Sequence, residues 1–224
     1  EASFYRQSVG KRLHVQALAR FLVASGIGGG ALGARYFLDV EQLPLMQLLC
    51  LAFCLLVINI PVFIIARRHR GFERRTGKVR ALSALMNATI VSDFVSLTLA
   101  LWLVGGPRSP FQVLYLLHVV IAAAFSTRGV AWAHAATGYA LFSGLALGEW
   151  LGIIPCHCPL GLVNSAASLD GRFVLAVLCA QGIAMGLGVP IMTTLTSLLQ
   201  KGEEQLRTSN RELDRRTRMQ RDFL

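Results

Sequence analysis

The sequence predicts an all-α, polytopic membrane protein with six transmembrane helices, followed by a charged helix that continues past the last span. Hydrophobic residues make up 54% of the 224 residues and charged residues only 15%, an unusual balance for a water-soluble domain. The apolar residues are gathered into long continuous blocks, and the basic residues between the blocks are distributed unevenly. Together these observations indicate helices that cross a lipid bilayer several times.

The apolar blocks have about the length that a bilayer requires. A hydrocarbon core of about 30 Å takes roughly 20 residues of helix, at about 1.5 Å per residue. The blocks are continuous and do not alternate between apolar and polar residues, so they do not fit the strands of a membrane barrel. The six predicted spans cover residues 21–38, 43–66, 81–104, 111–125, 130–154 and 173–199.

The basic residues predict the orientation of these spans. Nineteen of the 22 Lys and Arg residues fall in the N-terminal segment, in two alternate loops and in the C-terminal tail, and only Arg35, Arg108 and Arg172 fall on the other side. By the positive-inside rule, both termini are cytoplasmic. The formal charge of +10 therefore reflects orientation and contact with the lipid bilayer, and we expect no nucleic-acid partner.

The chain divides into three segments. Residues 1–20 mix basic and apolar side chains and are predicted to form a short amphipathic segment at the cytoplasmic surface. Residues 21–199 form the six-helix membrane domain, and residues 200–224 form a cytoplasmic coiled-coil linker. Gly26/Gly30 and Gly29/Gly33 of the first span are two pairs of small residues that allow close helix approach. We favour packing within the bundle as their role over the alternative, dimerisation.

The C-terminal tail is predicted to continue the sixth span as a signalling helix. The composition changes from apolar to charged at Gln200 without a proline, so nothing in the sequence ends the helix there. Leu199, Leu206 and Leu213 are spaced seven residues apart, and Asn210 suits a polar position of the same heptad. This pattern predicts a parallel coiled coil and hence a homodimer.

The turn between the third and fourth spans is the candidate sensing site. Its glycines and prolines suit any tight chain reversal, so a purely structural turn is one interpretation. We favour a binding site, because Phe111 offers an aromatic face at the membrane boundary and Arg108 and Ser109 offer hydrogen-bond donors. The short fourth span would leave this site open to lipid. The turn consists of Gly105, Gly106, Pro107, Arg108, Ser109, Pro110 and Phe111.

Ionisable groups within the spans are further candidates. Asp93 lies about halfway along the third span, where a carboxyl group is costly, and His118 lies in the fourth span. Counted from the outer surface, their depths differ by about 6 Å, so the two side chains form a buried pair or hold a polar ligand group if their helix faces meet. The alternative is that each one only bonds a neighbouring helix. Glu149 lies near the outer end of the fifth span.

The outer loop after the fifth span contains Cys156, His157 and Cys158. Two thiolates and an imidazole suit copper or zinc, although a complete site needs another donor. A disulfide or an ordered surface loop are the other interpretations, and together they are favoured over a metal site. The chain has no glycine-rich phosphate loop, metalloprotease helix or nucleophile elbow, so we expect no catalytic site within it.

The outer turn and the end of the tail resemble RegB/PrrB-type redox-responsive sensor histidine kinases. That family has six membrane spans and, between the third and fourth, an outer loop of the pattern Gly-Gly-x-x-Asn-Pro-Phe that is associated with quinone sensing. Residues 105–111 follow this pattern, with Ser109 at the position of the family's Asn, which removes an amide donor. The final residues, Arg221, Asp222, Phe223 and Leu224, look like the lead-in to a histidine-kinase dimerisation domain.

The resemblance implies the sensor module of a bacterial two-component kinase in the inner (cytoplasmic) membrane. It implies ubiquinone or menaquinone as a non-covalent ligand, held by the turn with Asp93 and His118, and no covalent cofactor. Autokinase activity would belong to a domain beyond residue 224, with a response regulator as partner. Two alternatives remain: a metal-ion sensor of the same architecture that uses the Cys-His-Cys loop, and a small transporter. The transporter is supported by the buried Asp93 and disfavoured because no internal repeat is visible.

Overall fold

The computed structural model describes residues 2–38, 40, 43–68, 76–157 and 169–222, and within them it is all-helical. Phe223 and Leu224, which carry part of the family resemblance, lie outside these residues, as does Cys158. Two short 3₁₀ turns, Gly106–Arg108 and Pro110–Gln112, stand between the third and fourth helices. The six helices are α1 (Ala2–Tyr36), α2 (Leu45–Arg68), α3 (Thr76–Leu103), α4 (Val113–Phe125), α5 (Arg128–Trp150) and α6 (Gly171–Asp222).

The all-α class is confirmed and several helices are apolar enough to span a membrane, but six spans are not confirmed. Four helical stretches of the described chain are long and apolar enough to cross a membrane. Helix α4 is apolar but has only 13 residues, and α5 has 23 residues but carries Arg128, His134 and Glu149. The six-span topology therefore remains a prediction. The four qualifying stretches are Arg12–Tyr36, Leu45–Arg68, Arg80–Leu103 and Gly171–Leu213.

Helix α3 is the centre of the bundle. It contacts α1, α2, α4 and α5, while α6 packs against α4 and α5. Buried side chains recur along α3 every three or four residues, which is the spacing that keeps one stripe of a helix facing its neighbours. These buried residues of α3 are Leu82, Met86, Ile90, Phe94, Leu97 and Leu101, and they belong to the main hydrophobic core.

Large apolar side chains also cover the outside of the bundle. Leu22 on α1, Phe53 on α2 and Ile191 on α6 are each more than 60% exposed, and many similar residues accompany them. A water-soluble protein rarely exposes such a wide apolar surface, whereas lipid solvates it without cost. The packing therefore agrees with the composition in indicating a membrane protein.

Helix α1 has no break at residue 20, where the sequence suggested a boundary between a surface segment and the first span. Leu13 and Ala17 are fully buried and belong to the same core cluster as Val62 and Ala66 of α2. Asn59 of α2 donates a 2.7 Å hydrogen bond from Nδ2 to the carbonyl oxygen of Ala17. The part of α1 from residue 12 to residue 20 is thus integrated into the bundle.

The interpretation of the α1 glycine pairs as internal packing sites is wrong. Among the described residues, no atom would lie within 4 Å of a Cβ at Gly26, Gly29, Gly30 or Gly33. Helix α1 turns a different face to α2, since Gly28 approaches Ala52. Close approach between helices instead uses Gly138 of α5, where any side chain would collide with the ring of Phe94 on α3.

Helix α6 is continuous from the membrane domain into the charged tail. It has 52 residues and is therefore about 78 Å long at the standard rise of about 1.5 Å per residue. Leu199, Leu206 and Leu213 are each at least 60% exposed on this helix. A coiled coil needs a second chain, so the predicted dimer stays a prediction.

Candidate functional site

The outer turn has a backbone that its sequence dictates. Gly105 and Gly106 both have positive φ angles, of 112° and 58°, a region that side chains other than glycine rarely adopt. Pro107 and Pro110 then begin the two 3₁₀ turns, where the fixed φ of proline fits and its missing N–H is not needed. The chain therefore reverses in two tight steps rather than in an open loop.

Ser109 lies at the junction of the two steps and is completely buried. Its backbone is extended, and its hydroxyl oxygen accepts a 3.4 Å hydrogen bond from the backbone N–H of Phe111. The sequence proposed this hydroxyl as a donor to a ligand. The structure instead places it inside the turn, where it caps the second 3₁₀ turn, so Ser109 shapes the site and does not face a ligand.

Arg108 and Phe111 keep their side chains at the surface of the turn. Phe111 is 45% exposed and Arg108 is half-buried. Nη1 of Arg108 lies 3.9 Å from Sγ of Cys156, which brings the turn into contact with the loop that follows α5. Two of the three polar or aromatic groups predicted at this site thus reach its surface.

Glu149, in the last turn of α5, lies directly beneath the turn. A side chain at Gly106 would overlap the carboxylate of Glu149, so glycine is required here both by the positive φ and by the close approach. Glu149 is only 8% exposed. Neither of its carboxylate oxygens has a hydrogen-bond partner among the residues that the structure describes.

Arg108 provides the positive charge that acts on this carboxylate. The sequence indicated that Glu149 lies near the outer end of the fifth span, but not that its side chain contacts the turn. Its position could have predicted this contact, because Glu149 and the turn both lie at the outer ends of helices that pack on α3.

The loop after α5 folds over the outer end of α3. Nε1 of Trp102 donates a 2.9 Å hydrogen bond to the carbonyl oxygen of Pro155, and the Trp102 and His157 rings meet edge to face with their centroids 4.5 Å apart. This contact holds the start of the Cys-His-Cys segment beside the turn.

Cys156 is disulfide-bonded in the structure, so its sulfur is not available as a thiolate ligand in this state. Cys158 lies outside the described residues. No three His, Cys, Asp or Glu side chains are grouped to hold a metal ion within the part of the chain that the structure describes. The metal site therefore remains an untested prediction, while the disulfide that the sequence left open involves Cys156.

Asp93 bonds a neighbouring helix, which is one of the two arrangements that the sequence left open for Asp93 and His118. Its Oδ2 accepts hydrogen bonds from Nε and Nη2 of Arg20 at 2.9 and 2.8 Å, an ion pair that joins α3 to α1. The imidazole Nδ1 of His118 lies 3.0 Å from the carbonyl oxygen of Leu114, one turn earlier in the same helix. Arg20 was missed because it was counted with the cytoplasmic charges. The sequence contained one indication that Arg20 belongs to the bundle: it lies seven residues after Leu13, inside an apolar run.

The ion pair and the outer turn are separate sites. Asp93 precedes Gly105 by twelve residues, which corresponds to about 18 Å of helix. Between them lies an aromatic cluster in which Tyr115 of α4 contacts the rings of Phe94 and Phe142, at centroid distances of 6.1 and 5.3 Å. The predicted ligand site of nine residues therefore divides into the turn, with Glu149 added, and a buried layer containing Asp93 and His118.

The outer site offers a small and specific set of chemical groups. Phe111 presents an apolar ring, Arg108 presents N–H donors, and Glu149 presents buried carboxylate oxygens that lie against Gly106. Such a site suits a flat, lipid-soluble molecule with polar oxygens at its edge. No protein-family model, curated protein or solved structure matches this chain, so its function has to be inferred from this geometry.

Proposed function

We propose that this chain is the membrane sensor module of a bacterial two-component sensor histidine kinase that reads the redox state of membrane quinone. The observation that carries the proposal is the outer turn, in which the exposed ring of Phe111 and the guanidinium of Arg108 are three residues apart and the buried carboxylate of Glu149 lies against Gly106. The proposal includes six membrane spans, cytoplasmic termini and an inner-membrane location. The uneven distribution of basic residues supports this orientation.

A quinone suits this turn because of its chemistry and its location. Its head group is a flat ring with two carbonyl oxygens, so it needs an apolar face and a few hydrogen-bond donors. Phe111 supplies the face and Arg108 the donors, at the outer end of the short helix α4. Ubiquinone and menaquinone both have this head-group pattern and both dissolve in the bilayer next to the turn.

The contacts of α4 offer a route from the turn to the tail. Helix α4 begins directly after the turn, and it packs against α6, which continues to residue 222. Tyr115 of α4 shares a hydrogen bond with the hydroxyl of Thr98 and contacts two aromatic rings, so a shift of α4 affects its neighbours. A ligand that binds one arrangement of α4 more tightly than another would bias the position of α6.

Quinone binding to the purified protein tests the proposal. We expect Phe111→Ala and Arg108→Ala each to weaken the binding of decylubiquinone in lipid nanodiscs by about tenfold, the size of one lost charged hydrogen bond or ring contact. Phe53→Ala and Arg128→Ala are matched controls, because both side chains are exposed, Phe53 on α2 and Arg128 at the end of α5 opposite Glu149. We expect the controls to bind as the wild type does.

Two results would contradict the proposed function. The first is a wild-type protein that binds neither decylubiquinone nor a menaquinone analogue. The second is a pair of turn variants that fold normally, as an unchanged melting temperature shows, and bind with unchanged affinity. The turn would then only reverse the chain.

The dimer is the second part of the proposal, and it rests on the exposed leucines of α6. Replacing Leu206 and Leu213 together with Asp should shift the detergent-solubilised protein from dimer to monomer in sedimentation velocity, because charges at the core positions of a coiled coil are destabilising. Gln205→Asp with Thr208→Asp adds the same charge on another face and should leave the dimer intact. A dimer that survives the leucine substitutions would refute this interface.

A further inference from the structure

The carboxylate of Glu149 is buried but makes no hydrogen bond within the described part of the bundle. It is 8% exposed, it is held against the backbone of Gly106, and neither oxygen finds a hydrogen-bond donor in the described part of the chain. A buried polar group without a partner costs free energy, and a carboxyl group more than most. The two carboxylate oxygens are therefore able to accept a hydrogen bond from a ligand.

The surroundings of Glu149 narrow the chemistry of that donor. Ile154 packs on the neighbouring Gly148, and Pro107 of the turn is buried close by, so the carboxyl group lies in mainly apolar surroundings. Arg108 contributes positive charge from above, which makes the site a poor one for a cation. A neutral molecule with a hydroxyl group, arriving from the lipid, fits both conditions.

We propose that Glu149 accepts a hydrogen bond from a hydroxyl of membrane quinol, so that the outer site binds the reduced head group more tightly than the oxidised one. This inference rests on the proposed function and adds the residue that distinguishes the two redox forms. In this inference Phe111 contacts the ring and Arg108 binds an oxygen of either redox form. Glu149 provides the preference for the reduced form.

The selectivity follows from counting donors and acceptors. A quinol carries two O–H donors, whereas a quinone carries only carbonyl acceptors. A carboxyl group can accept from a quinol hydroxyl whether it is ionised or protonated, but it can bond to a quinone carbonyl only when it is protonated. Arg108 can donate to an oxygen of either form, so it does not discriminate between them.

Paired binding measurements test the inference. The affinities of decylubiquinol and decylubiquinone are measured anaerobically, on the full chain in lipid nanodiscs, for the wild type and for Glu149→Gln. At a pH above neutrality, chosen so that the carboxyl group is ionised, we expect the wild type to bind the quinol about tenfold more tightly than the quinone, as one hydrogen bond to a charged group allows. In Glu149→Gln the two affinities should agree within about twofold, because an amide both donates and accepts.

A matched control separates this effect from a general loss of charge. Glu204→Gln makes the same substitution on the exposed part of α6, and it should keep the wild-type preference for quinol. Glu149→Asp provides a second variant in case Glu149→Gln does not fold. It withdraws the carboxyl group by one methylene and should weaken quinol binding severalfold while changing quinone binding less.

The outcomes distinguish the inference from the proposed function on which it rests. If both head groups bind and the Phe111 and Arg108 variants weaken them, but Glu149→Gln keeps the wild-type ratio, the role of Glu149 is refuted and the quinone site stands. A wild type that binds both forms equally, or prefers the quinone, also refutes the role of Glu149. A wild type that binds neither form overturns the proposed function and this inference together.

Discussion

Two acidic side chains lie within the helical bundle, and they differ in how they are satisfied. Asp93, in the middle of α3, receives two hydrogen bonds from Arg20 of α1. Glu149, at the outer end of α5, is also largely buried but has no hydrogen-bond partner in the described residues. The carboxylate of Asp93 thus has hydrogen-bond donors within the bundle, whereas the carboxylate of Glu149 has none among the described residues.

The difference separates a structural role from a binding role. A completed ion pair in an apolar interior fixes how two helices pack, and it leaves little capacity for a ligand. A carboxylate beneath a tight turn that has no hydrogen-bond partner among the described residues can still accept hydrogen bonds from a ligand. We therefore expect substitutions at Asp93 to affect stability and substitutions at Glu149 to affect binding.

The ion pair should give the largest effect on stability. We expect Asp93→Ala to lower the free energy of unfolding by about 3–5 kcal/mol, because it leaves the guanidinium of Arg20 buried without its partner. The measurement is denaturant-induced unfolding of the detergent-solubilised protein, followed by circular dichroism. Replacing both partners, by Arg20→Met with Asp93→Leu, should restore most of the loss, since no charge then remains buried. A double variant as unstable as the single one would mean that the pair is not the cause.

The contact between Gly106 and Glu149 should give the next largest effect. Gly106→Ala introduces a side chain at a positive φ and into the carboxylate of Glu149, and we expect it to cost about 1–3 kcal/mol. The same unfolding measurement on Gly106→Ala with Glu149→Ala should recover the steric part of this cost but not the backbone part.

Gly29→Ala is the control for this prediction. Gly29 faces open space in the middle of α1, so a methyl group there should stabilise the helix by up to about 1 kcal/mol. If Gly106→Ala were equally harmless, the turn would not have the close approach that the structure shows.

Glu149 itself should give the smallest effect on stability. We expect Glu149→Gln to change the free energy of unfolding by less than about 1 kcal/mol, because the substitution removes a charge but breaks no hydrogen bond of the described chain. Differential scanning fluorimetry of the ligand-free protein provides the check, with Asp93→Asn measured in parallel. If Glu149→Gln lowered the melting temperature as much as Asp93→Asn does, the two carboxylates would contribute equally to stability and the proposed difference between them would be wrong.

Much of the outer site could be predicted from the sequence, but its inner surface could not. The position of the turn, the exposure of Phe111 and the shortness of α4 all follow from local residues. The burial of Ser109 and the placement of Glu149 beneath Gly106 do not, because they depend on how two distant helices are rotated about their axes. The wrong interpretation of the α1 glycine pairs has the same origin: their spacing shows that they share a face, but not which way that face points.

The sequence by itself determined the class of this protein. Long apolar runs can be accommodated only where lipid surrounds them, and in lipid the backbone must satisfy its own hydrogen bonds, so the chain has to be helical. Only the tertiary structure decided which charges meet. Arg20 and Asp93 are 73 residues apart in the chain, and their pairing depends on the packing of α1 against α3. The packing of the outer turn on α5 likewise buries Glu149, whose oxygens have no hydrogen-bond partner among the described residues, because helix packing, rather than residue spacing, sets which side chains come within hydrogen-bonding distance.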